Sequence, residues 1–153
     1  MVYGLIIFIV FLALAPLWHF MPTRRQRAQA RMREAAALAG LFVEFRDLPM
    51  PQRYLERMPA TDRQLLYYGC RVRPAKGRER HAGAWWRSND GWTAGPVRDA
   101  PPAVAAQMPA SVSALSVDNS SCGCYWQERG DVATVATIAQ LLTRWAEELE
   151  GSV

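Results

Sequence analysis

The sequence predicts an α+β protein, in which a small antiparallel sheet of about five strands is packed by a carboxy-terminal amphipathic helix. An amino-terminal transmembrane helix and a basic helical stalk precede this domain. Three observations predict the arrangement: an uncharged apolar run, a cluster of arginines directly after it, and short strand-like segments ahead of one long helix-period segment. The organisation is a membrane anchor over 1–21, a basic juxtamembrane helix over 22–40 and an α+β domain over 41–153.

The apolar run extends from Val2 to Met21 and contains no formally charged side chain. A helix of this length is about 30 Å long, the thickness of the hydrocarbon core of a bilayer. Ala13-Leu14-Ala15 is similar to a signal-peptidase site, but Pro16 follows it directly and no basic residue precedes the run. We therefore expect an uncleaved membrane anchor. The alternatives are a secretory signal and a buried core helix.

The residues after the apolar run predict the orientation of the anchor. Five arginines follow it closely: Arg24, Arg25, Arg27, Arg31 and Arg33. No acidic residue precedes Glu34. Because basic residues beside a span stay in the cytoplasm, we expect a single-pass protein of the bacterial inner membrane. Its amino terminus would be periplasmic and its carboxy-terminal domain cytoplasmic.

Residues 23–39 are strong helix formers, and Gly40 is a typical stop. Arg24, Arg27 and Arg31 can share one helix face. Another face can hold Ala28, Met32, Ala35 and Leu38. Three interpretations remain open: a solvated stalk whose arginines only set topology, a surface for anionic lipid headgroups, and a packing seam for a second copy or another subunit.

The rest of the chain alternates between short segments and turn residues. Strands are predicted at Leu41–Phe45, Gln64–Val72, Gly83–Arg87, Gly91–Ala94, Val112–Val117 and Gly123–Gln127. Short helices are predicted at Gln52–Met58 and Pro101–Met108. Asp131 is expected to cap the last helix, which would end at Gly151. One face of that helix would carry Val132, Val135, Ile138, Leu142, Trp145 and Leu149.

Composition excludes some classes of partner. The 153-residue chain is half apolar, which argues against a disordered tail, and its formal charge is +4. Lys76 is its only lysine, which is typical of an arginine-favouring, GC-rich bacterial genome and weakens any nucleic-acid argument. A second basic cluster comprises Arg71, Arg73, Lys76, Arg78, Arg80 and His81. We interpret this cluster mainly as an exposed connection, with contact to lipid or an acidic partner as an alternative, and expect no nucleic-acid partner.

Three cysteines provide a candidate metal or redox site. Cys122 and Cys124 face the same side if they lie in a strand, and Cys70 could add a third ligand for zinc. The spacing is unusual, because structural zinc pairs prefer two to four intervening residues. An odd number of cysteines in a reducing compartment also argues against a disulfide framework. The alternative is two small, partly buried residues near a hairpin turn.

No motif in the sequence identifies a reaction. Phosphate-binding loops, nucleophile elbows and zinc-protease signatures are absent, so we expect a protein that is not an enzyme. Trp85 and Trp86 should point to opposite faces of a strand. Either one of them is exposed as a contact anchor for a partner, or both faces of the sheet are covered.

The start of the chain resembles a known family. Met21-Pro22-Thr23-Arg24-Arg25-Gln26-Arg27, after a single apolar span, is similar to YajC, the small accessory subunit of the bacterial preprotein translocase. The resemblance covers residues 5–33, and the acidic, glycine-rich β segment of that family has no counterpart after Leu41. It implies a non-catalytic accessory or adaptor subunit of a membrane complex. The alternative function is a membrane-tethered thiol or metal-binding domain that uses Cys122 and Cys124.

Overall fold

The computed structural model describes residues 2–14, 22–59, 63, 65–73, 82–95 and 100–151. The chain forms two compact units, Met1–Ala30 and Arg31–Val153. The first unit contains helix α1, Val2–Leu14, and the start of helix α2, Arg24–Leu38. The second contains the end of α2 and the whole of an α+β domain.

Helix α1 is apolar throughout and buries none of its side chains. Within the described residues, no helix has both the length and the apolar character that crossing a membrane requires. The predicted span continues over residues 15–21, and these, Met21 included, lie outside the described residues. The helix over Val2–Leu14 is therefore observed, and the membrane span remains a prediction.

Helix α2 begins at a reciprocal cap. The Thr23 N–H donates to Gln26 Oε1 at 2.8 Å, and the Gln26 N–H donates to Thr23 Oγ1 at 3.2 Å. The helix stops before Gly40, whose φ of +80° is the left-handed conformation that glycine adopts without penalty. The predicted helix over 23–39 is thus confirmed to within a residue at each end.

The buried side of α2 includes Met32 but not Leu38. Met32 and Ala36 are buried in the main core, whereas Leu38 is 84% exposed. Leu38 is two positions after Ala36, which places it roughly 200° further around the helix. Met32 and Leu38, which the helical spacing grouped on one face, therefore differ in burial.

The domain contains one antiparallel sheet of six strands rather than about five. The strands are β1 (Phe42–Phe45), β2 (Leu66–Arg71), β3 (Gly83–Ser88), β4 (Gly91–Ala94), β5 (Val112–Val117) and β6 (Ser121–Trp126). Their order across the sheet is β1-β2-β6-β5-β3-β4, so β6 lies between β2 and β5. Strand β6 begins at Ser121, before the predicted Gly123, which places both of its cysteines inside the strand.

The described part of the domain also contains helices α3 (Gln52–Leu55) and α4 (Val132–Gly151) and a short 3₁₀ helix, Ala103–Gln107. Asp131 caps α4 as predicted, because its Oδ1 accepts the Thr134 N–H at 2.9 Å. Val132 is 49% exposed, contrary to prediction, since the buried stripe of α4 begins one turn later at Val135.

The sheet is covered on both faces. On the helix side, the side chains of β2, β5 and β6 pack in one core with Ile138, Leu142 and Trp145 of α4. On the opposite side, here called the loop side, Tyr67 and Trp86 pack with residues from 48–58 and Leu65. Trp85 and Trp86 point to opposite faces as predicted, and they are only 6% and 5% exposed. The interpretation that both faces are covered is therefore confirmed.

Candidate functional site

The five predicted juxtamembrane arginines divide into two groups. Arg24, Arg25, Arg27 and Arg31 are exposed on α2. The Arg27 Nε–H also donates to the carbonyl of Pro22 at 3.0 Å, near the start of the helix. Arg33 instead binds a buried carboxylate of the domain. Four of the arginines are thus exposed on α2, and the fifth forms an ion pair with the domain.

The carboxylate that Arg33 binds belongs to Glu128, whose side chain is 4% exposed. The Arg33 Nε–H donates to Oε1 at 2.7 Å, and Nη2 donates to Oε2 at 2.8 Å. The Tyr68 hydroxyl donates to the same Oε1 at 2.8 Å. These bonds to Glu128 raise the pKa of Arg33, while burial and Glu128 raise the pKa of Tyr68. Both donors therefore stay protonated at neutral pH.

Sequence reasoning did not find Glu128. It has a left-handed φ of 51°, which non-glycine residues adopt at a cost, and it lies in the connection between β6 and α4. No motif surrounds it, and its partners Arg33 and Tyr68 are 95 and 60 residues away along the chain. Only the fold brings the three together.

The structure places the three candidate metal ligands near one another in the sheet without forming a metal site. Cys70 lies opposite Cys122 across β2 and β6, and Cys124 follows on the same face. Cys122 and Cys124 are fully buried, whereas Cys70 is half-buried. Among the described residues, no group of three or more cysteine, histidine or acidic side chains is arranged to hold a metal ion.

The environments of Cys70 and Cys124 favour the protonated thiol. Burial raises the pKa of Cys124, and the neighbouring Cys122 raises it further. Burial, followed by the charges of Glu150 and Glu147, raises the pKa of Cys70. The Cys122 thiol donates to the carbonyl of Leu142 at 3.8 Å. Because the thiolate is the metal ligand and the nucleophile, these environments suit packing better than chemistry.

Strand geometry also disfavours a disulfide between Cys70 and Cys122. The Val72 N–H donates to the carbonyl of Ser120, so these two residues form a hydrogen-bonded pair of the antiparallel ladder. Pair types alternate along the ladder, so Cys70 and Cys122, two positions along, are also a hydrogen-bonded pair. The Cα atoms of such pairs are about 5.5 Å apart, with side chains further apart than in non-hydrogen-bonded pairs.

A polar cluster not predicted from the sequence lies on the loop side of the sheet, around Arg46 and Asp118. The Asp118 Oδ1 accepts the N–H groups of Ser120 and Ser121, each at 2.8 Å. Its Oδ2 accepts Nη1 of Arg46 at 2.9 Å, and Arg46 also pairs with Glu44. Burial opposes ionisation of Asp118, but these hydrogen bonds prevail and lower its pKa to about 2. The cluster thus fixes the β5–β6 hairpin to the end of β1.

The ring of Tyr67 packs against the Arg46 guanidinium of this cluster. The guanidinium carbon of Arg46 lies 4.1 Å from the centroid of the ring, within range of a cation–π interaction. The ring occupies the space left by Gly69 and Gly123, which pair across β2 and β6. A Cβ atom at Gly69 would lie 2.5 Å from both Tyr67 and Phe42. Glycine is therefore required at Gly69 for close approach of the rings.

The second basic cluster is described only in part. Residues 74–81, and with them Lys76, Arg78, Arg80 and His81, lie outside the described residues. The Arg71 guanidinium carbon lies 5.5 Å from the centroid of the Phe42 ring. The Arg73 N–H donates to Glu150 Oε1 at 2.7 Å.

Comparison with known proteins found no match for this chain among family models, curated proteins or solved structures. Arg24, Arg25, Arg27 and Arg31 form the exposed arginine surface of α2. Such a surface attracts anions such as lipid headgroups.

Proposed function

We propose that this chain is a single-pass protein of the bacterial inner membrane that acts as a non-catalytic accessory or adaptor subunit of a membrane complex. Its amino terminus would be periplasmic, and residues 22–153 would be cytoplasmic. The observation that carries the proposal is the succession of an uncharged apolar segment, Val2–Met21, and four exposed arginines on α2. This succession is the pattern that fixes a membrane helix with its basic end in the cytoplasm.

The lipid bilayer would be the first partner. Each exposed arginine near an anionic leaflet contributes about 1 kcal/mol of attraction. The same helix carries Met32 and Ala36, which are buried in the core of the α+β domain.

The second partner would be another membrane protein. The resemblance of residues 5–33 to YajC favours the preprotein translocase as the first complex to test. An adaptor function agrees with the environment of the described side chains, because burial raises the pKa of Cys124 and because Glu128 and Asp118 form ion pairs with arginines.

Topology is tested with a carboxy-terminal reporter that is active only in the periplasm. We expect the full-length fusion to remain inactive and a cytoplasmic reporter at the same position to be active. A matched variant, with Arg24, Arg25, Arg27 and Arg31 changed to Glu, should reduce the orientation bias, since positive charge retains a flank in the cytoplasm. High periplasmic activity of the unchanged sequence would contradict the proposal.

The adaptor role is tested by crosslinking the full-length protein in its native membrane and identifying the proteins that co-purify in mild detergent. We expect a defined membrane-protein partner. Arg33→Ala removes the ion pair with Glu128 and leaves the four exposed arginines of α2 unchanged. This variant shows whether damage to the domain alone reduces co-purification of the partner. Purification of the crosslinked protein without any stoichiometric membrane partner would contradict the adaptor role, whatever its topology.

A further inference from the structure

Strand β1 is an edge of the sheet, and the ladder geometry shows which of its backbone groups face outward. Val72 and Ser120 form a hydrogen-bonded pair, and every second residue of β2 before Val72 does the same with β6. The backbone N–H and C=O groups that point toward β6 are therefore those of Leu66, Tyr68 and Cys70. The alternate residues, Tyr67 and Gly69, therefore bond toward β1, where they pair with Glu44 and Phe42. The N–H and C=O groups of Val43 and Phe45 then point away from the sheet.

The outer edge of β1 is open in the described part of the chain. No described strand pairs with it, and Phe45 is 77% exposed. An edge strand with outward backbone groups and an exposed aromatic side chain is a template for another strand. The charges beside Phe45 indicate which strand fits.

Glu44 lies in β1, and Arg46 directly follows the last residue of the strand, Phe45. The two side chains carry opposite charges and pair on the loop side of the sheet. In an antiparallel pair of two identical segments centred on Phe45, Glu44 of each copy lies opposite Arg46 of the other. We propose that β1 and the residues that directly follow it, Arg46 and Asp47, pair with the same segment of a second copy in this register and join the two six-stranded sheets. Each Arg46 then lies between its own Glu44 and that of the second copy.

Charge selects this register over its neighbours. Only registers that place odd-numbered residues opposite odd-numbered ones align the outward backbone groups of both copies. A shift by one such step toward the amino terminus puts Glu44 opposite Glu44, and a shift the other way puts Arg46 opposite Arg46. Like charges directly opposite each other in a sheet are destabilising, so both shifted registers are disfavoured.

Edge charges often prevent strand pairing rather than promote it. Here the two charges have opposite sign, sit symmetrically about Phe45 and already pair within one copy, and antiparallel self-pairing gives each of them a second neighbour of opposite charge. Pairing with an unrelated strand lacks this symmetry. The inference concerns the domain alone and does not depend on the membrane topology or on the proposed adaptor role.

The register is tested by disulfide trapping between two differently tagged full-length copies. The background carries Cys70→Ser, so that the remaining cysteines, Cys122 and Cys124, are buried. In the proposed register, Glu44 and Arg46 of the second copy form a non-hydrogen-bonded pair with Cα atoms about 4.5 Å apart, within disulfide range. We expect Glu44→Cys with Arg46→Cys to crosslink about tenfold more than Glu44→Cys with itself.

The opposite edge strand provides the matched control for trapping. Asp90→Cys in one copy, in the β3–β4 turn, and Thr93→Cys in the other, in β4, place exposed cysteines at this edge and should show only collisional crosslinking. Equal yields for all pairs, no crosslink for the Glu44–Arg46 pair, or capture of a different protein in place of the second copy would overturn the proposal.

A second measurement keeps Arg46 and its contacts with Asp118 intact. Glu44→Lys places a cation opposite Arg46 of the second copy and should weaken dimerisation of the full-length protein in detergent about tenfold by sedimentation. Phe45→Pro removes an outward N–H without removing a hydrogen bond between β1 and β2. We expect this variant to weaken dimerisation at least as much as Glu44→Lys does. Glu56→Lys, an exposed change of the same charge, should leave dimerisation unchanged. Dimerisation unaffected by Glu44→Lys and Phe45→Pro would also overturn the proposal.

Discussion

Arg33 of α2 and Glu128 of the β6–α4 connection form a bidentate ion pair, with N–O distances of 2.7 and 2.8 Å. Glu128 adopts a left-handed φ of 51°, a conformation that costs an L-residue about 1–2 kcal/mol. Three hydrogen bonds, two from Arg33 and one from Tyr68, offset that cost. The ion pair therefore fixes both the end of α2 and the connection that leads into α4.

Arg33→Ala should destabilise the domain by about 2–3 kcal/mol, because it leaves the buried carboxylate of Glu128 without its cation. Arg31→Ala changes an exposed arginine on the same helix and should alter the free energy of unfolding by less than about 0.5 kcal/mol. Urea unfolding followed by tryptophan fluorescence measures both variants. Equal stability of the two variants would show that the ion pair contributes nothing to the fold.

Asp118 should make the stability of the domain depend on acid pH. Its folded pKa, about 2, lies below the ordinary value of 3.8, so its contribution is present above about pH 4 and lost as pH falls toward 2. Since the side chain of Asp118 is 44% exposed, screening limits that contribution to about 1 kcal/mol. Asp118→Asn should lower the free energy of unfolding at pH 7. It should also make the free energy of unfolding depend less on pH below about pH 4.

Asp90→Asn, in the exposed β3–β4 turn, is the matched control for this titration. Both variants are compared with the unchanged protein by urea unfolding between about pH 7 and pH 2. If Asp118→Asn and the unchanged protein lose stability in parallel as pH falls, the inferred role of Asp118 is wrong.

Local signals predicted most of the fold. Periodicity located the capped α4 helix, and turn residues located the β3–β4 hairpin, because these elements depend on neighbours in sequence. Local signals could not show that Ala36 rather than Leu38 faces the core, since that depends on which side of α2 meets the sheet. They also missed the Arg33–Glu128 and Arg46–Asp118 pairs, whose members are 95 and 72 residues apart.

Gly69→Ala should destabilise the domain by about 1–3 kcal/mol through overpacking. The added Cβ would meet the Phe42 and Tyr67 rings at 2.5 Å, and both rings are confined on the loop side of the sheet. Gly151→Ala adds the same atom where nothing lies within 4 Å and is the matched control. Thermal unfolding by circular dichroism compares the two. An unchanged midpoint for Gly69→Ala would contradict the packing of the rings over the two glycines.

Measurements on one purified sample distinguish a packing role of the cysteines from a metal-binding role. If Cys122 and Cys124 are packing residues, a thiol reagent should modify Cys70 in the folded protein and all three cysteines only after unfolding, because the other two are fully buried. Metal analysis of the full-length protein should then find no stoichiometric zinc, and Cys122→Ser with Cys124→Ser should lose stability without losing metal. Stoichiometric zinc that disappears in this double variant would instead establish the thiol or metal-binding function. Metal binding would then require α4 to move away from the sheet, because both thiols lie in the core that they share with Leu142 of this helix.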